Sequence, residues 1–227
     1  MKDNRELSEA MDAIIRKRVP EWKVIAKETS TLHKVISWLP PVVFLRTAYR
    51  ENFWTTLGYT AAHPIGQEYD WDTRPHEGLH AQQASKWTRP LFGFGYLFPQ
   101  ALFLPIAIFL CFFLSWWMSA LAVAVSVAPW PAPFRMLWEL EAYELSVMVW
   151  EWQWGQETED RIEDISSDNF AGVNYWFMWP FTGYIKRRLR HAQRRAEQWK
   201  NIKNKDPYIN EVYLAIKDGG RLAAKYQ

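Results

Sequence analysis

Apolar positions recur at helical spacing from the start of the chain. Leu7, Met11, Ile14 and Ile15 fall on one face with polar residues between them, and Pro20 follows, so the pattern predicts an amphipathic helix over Leu7–Val19. A second helical pattern covers Trp22–Lys34. The stretch "WLPPVV", Trp38–Val43, ends it, because neither proline can donate a backbone hydrogen bond. The pattern then changes. "NFWTTLGYTAAHP", Asn52–Pro64, is rich in aromatic residues and threonine and reads as one or two short strands, with a bulge at Gly58. A polar loop, "GQEYDWDTRP", leads into another helix. Asp72 or Thr73 suits its N-cap and Pro75 its first turn.

From Pro90 to Phe134 no residue is charged, a run of 45 residues. A helix needs about 20 apolar residues to span a bilayer. The run therefore has room for one crossing with slack, for a tight hairpin of two helices, or for a buried helical pair. Gly93, Gly95, Pro99 and Pro105 interrupt its first half, and Pro129–Pro133 closes the second. Beyond Arg135, "MLWELEAYELSVMVWEWQWGQETEDRIEDI" reads as one long helix carrying Glu139, Glu141 and Glu144 near its start. An aromatic, turn-rich segment follows. Lys186–Lys205 is then a strongly basic helix, and a short closing element ends in a Gly-Gly turn. No internal repeat is visible. The fold class expected is α+β, mainly α, in a single domain, 1–227. N-terminal helices fill 1–50, a core with a small sheet and the apolar hairpin 90–134 fills 52–150, and a helical C-terminal region fills 151–227.

Composition changes this picture in three places. The single cysteine, Cys111, rules out an internal disulfide framework. The 15 tryptophans suit membrane interfaces, protein contacts or the core, so assembly partners on a Trp-rich surface are one expectation. The net charge of +2 is bland, but Lys186, Arg187, Arg188, Arg190, Arg194, Arg195, Lys200 and Lys203 face one acid, Glu197. Such a surface attracts anionic lipid or nucleic acid. No nucleic-acid motif accompanies it, so an anionic membrane is the more economical partner. "MKDNRELSEAMDAIIRKR" has no apolar core and does not read as a signal peptide. The expected location is a membrane surface or a virion.

The candidate chemistry lies in "HEGLHAQQ". His76 and His80 stand at i and i+4, so both rings point to one side of a helix and can share one zinc ion. Glu77, beside the first of them, is placed as general base toward a water activated by that ion. One further ligand is needed. Lys86 occupies the place where one class of such sites carries a third histidine, which excludes that class. A glutamate of the later helix is the other solution. Glu139 and Glu141 are two residues apart, about 200° around a helix, so they cannot both face one ion. Glu144 is a third candidate, and a solvated helix face is the bland reading of each.

"HEGLHAQQ", an apolar stretch and then "PAPFRMLWELEAYE" together resemble the HExxH zinc metallopeptidases of the gluzincin type, closest to small uncharacterised members, some of them phage-encoded. The resemblance covers Asn52–Trp150. It implies a zincin-like core and a ligand glutamate followed by a small residue, which selects Glu141, followed by Ala142. It also implies an edge strand that aligns a peptide substrate, with "NFWTTLGYTAAHP" in the right place, and an oxyanion-stabilising Tyr or His, for which Tyr143, Tyr175 and His191 are available. His63, beside Pro64, is expected to be structural, and His33 carries no signal. The function expected is a zinc-dependent peptidase-like hydrolase at a membrane. The alternative is a non-enzymatic membrane or virion structural protein that keeps the metal-binding core. The site also constrains topology. His76, His80 and Glu141 cannot meet if the run between them crosses a membrane once, so 90–134 must go out and come back.

Overall fold

The computed structural model describes residues 2–38, 46–126, 128–155, 158–172, 175, 177–203 and 205–226. It is mainly helical, with one small mixed sheet. Helix α1 spans Asn4–Arg16, starting earlier than the apolar pattern implies. The reason is a capping box: the Asp3 carboxylate accepts from the Glu6 N–H, and Glu6 accepts from the Asp3 N–H.

The second expected helix is instead strand β1, Lys23–Ala26, a short 3₁₀ turn, and helix α2, Thr31–Ile36. Val24 and Ile25 are β-branched, and β1 pairs in parallel with Thr60–His63, so sheet pairing overrides the local helical pattern. Helix α3 is Arg46–Glu51. Of the proline break at Trp38–Val43, only Trp38 lies within the described residues.

Strands β2, Thr55–Leu57, and β3, Thr60–His63, form an antiparallel hairpin with Leu57 opposite Thr60. Two residues close it. Gly58, first of the two, has φ +64° while Tyr59 does not, so Gly58 makes a tight turn rather than the expected bulge. The sheet order β1-β3-β2 leaves β2 on an edge.

Helix α4, Arg74–Trp87, carries the His-Glu motif. Its N-cap, Thr73, gives no side-chain cap and instead donates to Asp70 at 2.9 Å. The start of α4 is fixed by charge. Arg74 places Nη1 at 2.7 Å from both oxygens of Asp12 on α1, and the Trp22 indole N–H donates to the same carboxylate. Both ions are nearly buried, at 5% and 12% side-chain exposure. Removing one partner strands the other charge, which costs about 3–5 kcal/mol. Asp12→Ala is therefore expected to lower unfolding free energy by about 3 kcal/mol in urea titration, with no change of net secondary structure in the folded state.

The uncharged run does go out and return, but in three helices rather than two: α5, Arg89–Leu97, α6, Gln100–Leu110, and α7, Trp116–Ser126. α5 and α6 meet at a 77° bend. α6 and α7 pack along each other, and at their base Gln100 donates to the Ala128 carbonyl. No single helix among the described residues is long and apolar enough to cross a membrane.

The long helix is α8, Pro133–Gln153. It stops where Gly155 takes φ +76°, and α9, Thr158–Asp164, starts anew. α10, Thr182–Glu197, and α11, Pro207–Asp218, complete the set. α8 lies at the centre, against α4 on one side and α10 on the other. The core gathers around Trp152, whose indole N–H donates to the Ala196 carbonyl while its ring meets Trp199 and Tyr213.

The tryptophans thus divide. Trp22, Trp71, Trp152 and Trp199 are core, while Trp38, Trp87, Trp116 and Trp117 are more than half exposed. The basic face of α10 is also partly neutralised. Lys186 and Arg190 pair with Glu163 and Glu159 of α9, and Arg188 pairs with Glu144 of α8 at 2.6 Å.

Candidate metal centre

Three side chains converge between α4 and α8. The two Nε2 atoms of His76 and His80 are 3.2 Å apart. The Glu139 carboxylate reaches them from α8, with Oε2 at 3.7 Å from His76 Nε2 and Oε1 at 3.5 Å from His80 Nε2. All three residues are buried, and their ligand atoms lie within 4.8 Å of one another.

Each histidine is held from behind. His76 Nδ1 meets the Ser146 hydroxyl at 3.0 Å, and His80 Nδ1 meets the Gln83 carbonyl oxygen at 2.9 Å. The Gln83 oxygen can only accept, so His80 carries its proton on Nδ1 and turns a bare Nε2 lone pair inward. Ser146 Oγ itself donates to the Ala142 carbonyl, so it accepts from His76 in the same way. Two bare lone pairs and a carboxylate then face one point, an arrangement that repels itself unless a cation or a proton sits there. Glu139 Oε2 is buried and has no hydrogen-bond partner among the described residues. For zinc bound at about 2.0–2.1 Å with tetrahedral angles, neighbouring ligand atoms stand about 3.3 Å apart. The two Nε2 atoms, 3.2 Å apart, match that spacing, and the carboxylate turns a different oxygen to each of them, at 3.5 and 3.7 Å.

Glu141, the ligand favoured by the resemblance, is not in this group. It is exposed on α8 and accepts from Gln83 Nε2 at 2.8 Å. It steadies the glutamine that steadies His80. Glu144 is tied to Arg188. The remaining positions around the centre were not legible as ligand partners. Tyr96 on α5 donates to Glu139 Oε1 at 2.5 Å. Gly95 next to it lets α5 approach, since a Cβ there would stand 2.6 Å from the Trp138 ring. Tyr143 packs edge-on against His76 with ring centroids 4.7 Å apart, and its hydroxyl meets Tyr175 at 3.2 Å and Asn169 at 2.8 Å. Of the three candidates for stabilising an oxyanion, Tyr143 and Tyr175 are therefore near, while His191 is exposed on α10. His63 bonds its neighbour's carbonyl and His33 bonds Tyr49.

Glu77 is buried between α4 and the sheet. Its Oε2 accepts from Thr56 Oγ1 of edge strand β2 at 2.7 Å. Its charge acts on His80. The motif's glycine is a packing requirement: a Cβ on Gly78 would lie 2.6 Å from the Ile15 side chain and from the Tyr208 hydroxyl, which donates to the Pro75 carbonyl. Gly78→Ala is expected to lower stability by about 1–3 kcal/mol in chemical denaturation, through overpacking between α1, α4 and α11.

The electrostatics are those of a site that takes a proton when it has no metal. Burial alone would lower the His80 imidazole, but Glu139 beside it pushes it up to about 9. Burial would raise the Glu139 carboxyl, but His80 and His76 hold it well below the usual range. In metal-free protein, the stability contributed by protonated His80 is fully present below its ordinary value near 6.5 and is lost as pH rises through about 9. A metal ion bound by this group would have the opposite dependence, since it would have to displace that proton. Zinc affinity measured by competition with a chromophoric chelator is expected to fall about tenfold from pH 8 to pH 7.

Comparison with protein-family models, with curated proteins and with solved structures yields no match to this chain.

Proposed function

We propose that this chain is a zinc-dependent, gluzincin-like hydrolase that cuts a peptide bond and works at a membrane. His76, His80 and Glu139 would hold zinc and Glu77 would be the general base. The observation that carries this reading is the convergence of two histidine Nε2 atoms and a buried carboxylate with an unpartnered oxygen, each histidine oriented from behind. Two histidines and one glutamate leave a fourth place open, which is the catalytic pattern for zinc. Zinc in such a place supplies a Lewis acid and an acidified water. Glu77, next in sequence to one ligand, would accept that water's proton, and Tyr143, whose ring packs against His76, would offer a hydroxyl to the developing oxyanion. Edge strand β2, joined to Glu77 through Thr56, offers an extended peptide a place to pair. The exposed apolar hairpin supports the membrane location.

One observation favours a second reading, a metal-stabilised structural protein of a membrane or virion. His76, Glu77 and His80 are all only 6% exposed, and Thr56 already occupies the Glu77 carboxylate. Zinc content and turnover of a quenched-peptide library separate the two. Stoichiometric zinc with turnover that depends on Glu77 supports the hydrolase. Stoichiometric zinc without turnover supports the structural centre. No bound metal in protein purified without chelator overturns both.

A further inference from the structure

The hairpin α6–α7 has the dimensions of half a bilayer. Each helix has 11 residues, so it is about 16 Å long at 1.5 Å per residue. The hydrocarbon core of a bilayer is about 30 Å thick, so one leaflet contributes about 15 Å. The hairpin is too short to reach the far side and the right length to reach the middle.

Its surface matches that depth. Among the described residues, the most exposed large apolar side chains are at its tip: Phe112 at 81%, Phe113 at 71% and Trp116 at 83%. Ile106, Ile108, Phe109 and Leu121 continue the exposed face down both helices. No charge interrupts it. The turn keeps bonded the N–H groups with which it leaves α6, as hydrocarbon demands. The N–H groups of Cys111, Phe112, Phe113 and Leu114 all donate to carbonyls of α6, at 2.9–3.2 Å. The Cys111 thiol donates to the Ala107 carbonyl as well. At the base the chemistry changes. Trp130 and Trp87 are exposed there, and Lys86, Arg89 and Arg135 bracket the run, as at an interface between lipid and water. The bend of 77° sets α5 across the hairpin, with Leu91, Phe94 and Leu97 exposed along it while Phe92 meets Trp138 of the ligand-bearing helix.

We propose that α6–α7 inserts into one leaflet of a phospholipid bilayer and turns back at its middle, so that no part of the hairpin reaches the opposite face. This deepens the membrane location given above and rests on that reading only, since it holds whether or not the metal centre is catalytic. The insertion is driven by apolar burial, so zwitterionic lipid suffices. The pairing of Lys186, Arg188 and Arg190 with acids on α8 and α9 agrees with that.

The chain's one cysteine is a probe already at the tip. Full-length protein is floated with phosphatidylcholine vesicles, and Cys111 carries a small environment-sensitive fluorophore. The expected result is flotation, strongest quenching by a nitroxide near the end of the acyl chain, and no reaction of unlabelled Cys111 with an impermeant maleimide supplied outside or sealed inside the vesicle. Phe112→Asp, at a site exposed in the folded protein, should lower vesicle affinity about a hundredfold by placing a charge at mid-bilayer. Its circular dichroism serves as the check that it folds. Quenching by a headgroup nitroxide alone would make the contact superficial and overturn the proposal. Labelling from the lumen would make it a crossing and overturn it too. A soluble dimer that does not float would assign the apolar face to a second copy. Absence of zinc from unsubstituted protein that still floats would fail the hydrolase and leave the insertion standing.

Discussion

Glu139→Ala should remove zinc binding, lowering affinity by more than about a hundredfold, while Glu141→Ala should lower it by less than tenfold. The contrast is large because the two glutamates stand at different distances from the centre. Glu139 approaches both histidine Nε2 atoms with both of its oxygens. Its loss would remove one of the three proposed ligands and leave two lone pairs facing each other. Partners that only orient a ligand typically contribute 10–100-fold to metal affinity. Gln83 is such a partner for His80, and Glu141 lies one hydrogen bond behind Gln83. Isothermal titration of chelator-stripped protein decides it. Equal losses for both variants, or a greater loss for Glu141→Ala, would reinstate Glu141 as the ligand. Both variants should stay folded by circular dichroism, Glu141→Ala because that residue is exposed, and Glu139→Ala because buried His80, with no carboxylate beside it, sheds its proton.

Glu77→Gln should lower peptide turnover by about a hundredfold to ten-thousandfold with zinc content unchanged, the usual contribution of a general base. Glutamine keeps the shape and can still accept from Thr56 through its carbonyl, so strand β2 stays in place against α4. What disappears is the ability to take a proton. Stopped assays of purified protein on a peptide library, paired with metal analysis of the same samples, read both quantities. Turnover that survives the change with zinc in place would remove Glu77 from the chemistry. A parallel fall in zinc would mean that the residue supports the metal rather than the reaction.

Local physics made several elements legible in advance. The first helix, the strand pair and the histidine helix each follow from signals within a dozen residues. So does the excursion and return of the uncharged run, once two ends of one site must meet. β1 was misread because Val24 and Ile25 take their conformation from a partner strand more than thirty residues away. Glu139 and Glu141 could not be separated by periodicity, because α8 is covered by α4 on one side and by α10 on the other. A helix buried on two sides shows no single apolar stripe to mark its inward face. The Ser146 and Tyr96 contacts are encounters between elements far apart in sequence, and no short-range pattern carries them. The basic helix looked like a docking face because its acids belong to α8 and α9.

The Gln83 side chain has a consequence that goes beyond holding a ring still. Its amide has two unlike ends. The oxygen faces the His80 N–H, and the nitrogen faces the Trp138 carbonyl and Glu141. Turned end for end, the amide would aim its N–H groups at an imidazole N–H and its oxygen at a carbonyl and a carboxylate. The polarity of the chain from imidazole to Glu141 is therefore one-way. A carboxylate at this position would lose the donor, and an ammonium would lose the acceptor. Only an amide both accepts the His80 proton, leaving the lone pair facing Glu139, and donates to the Trp138 carbonyl and Glu141.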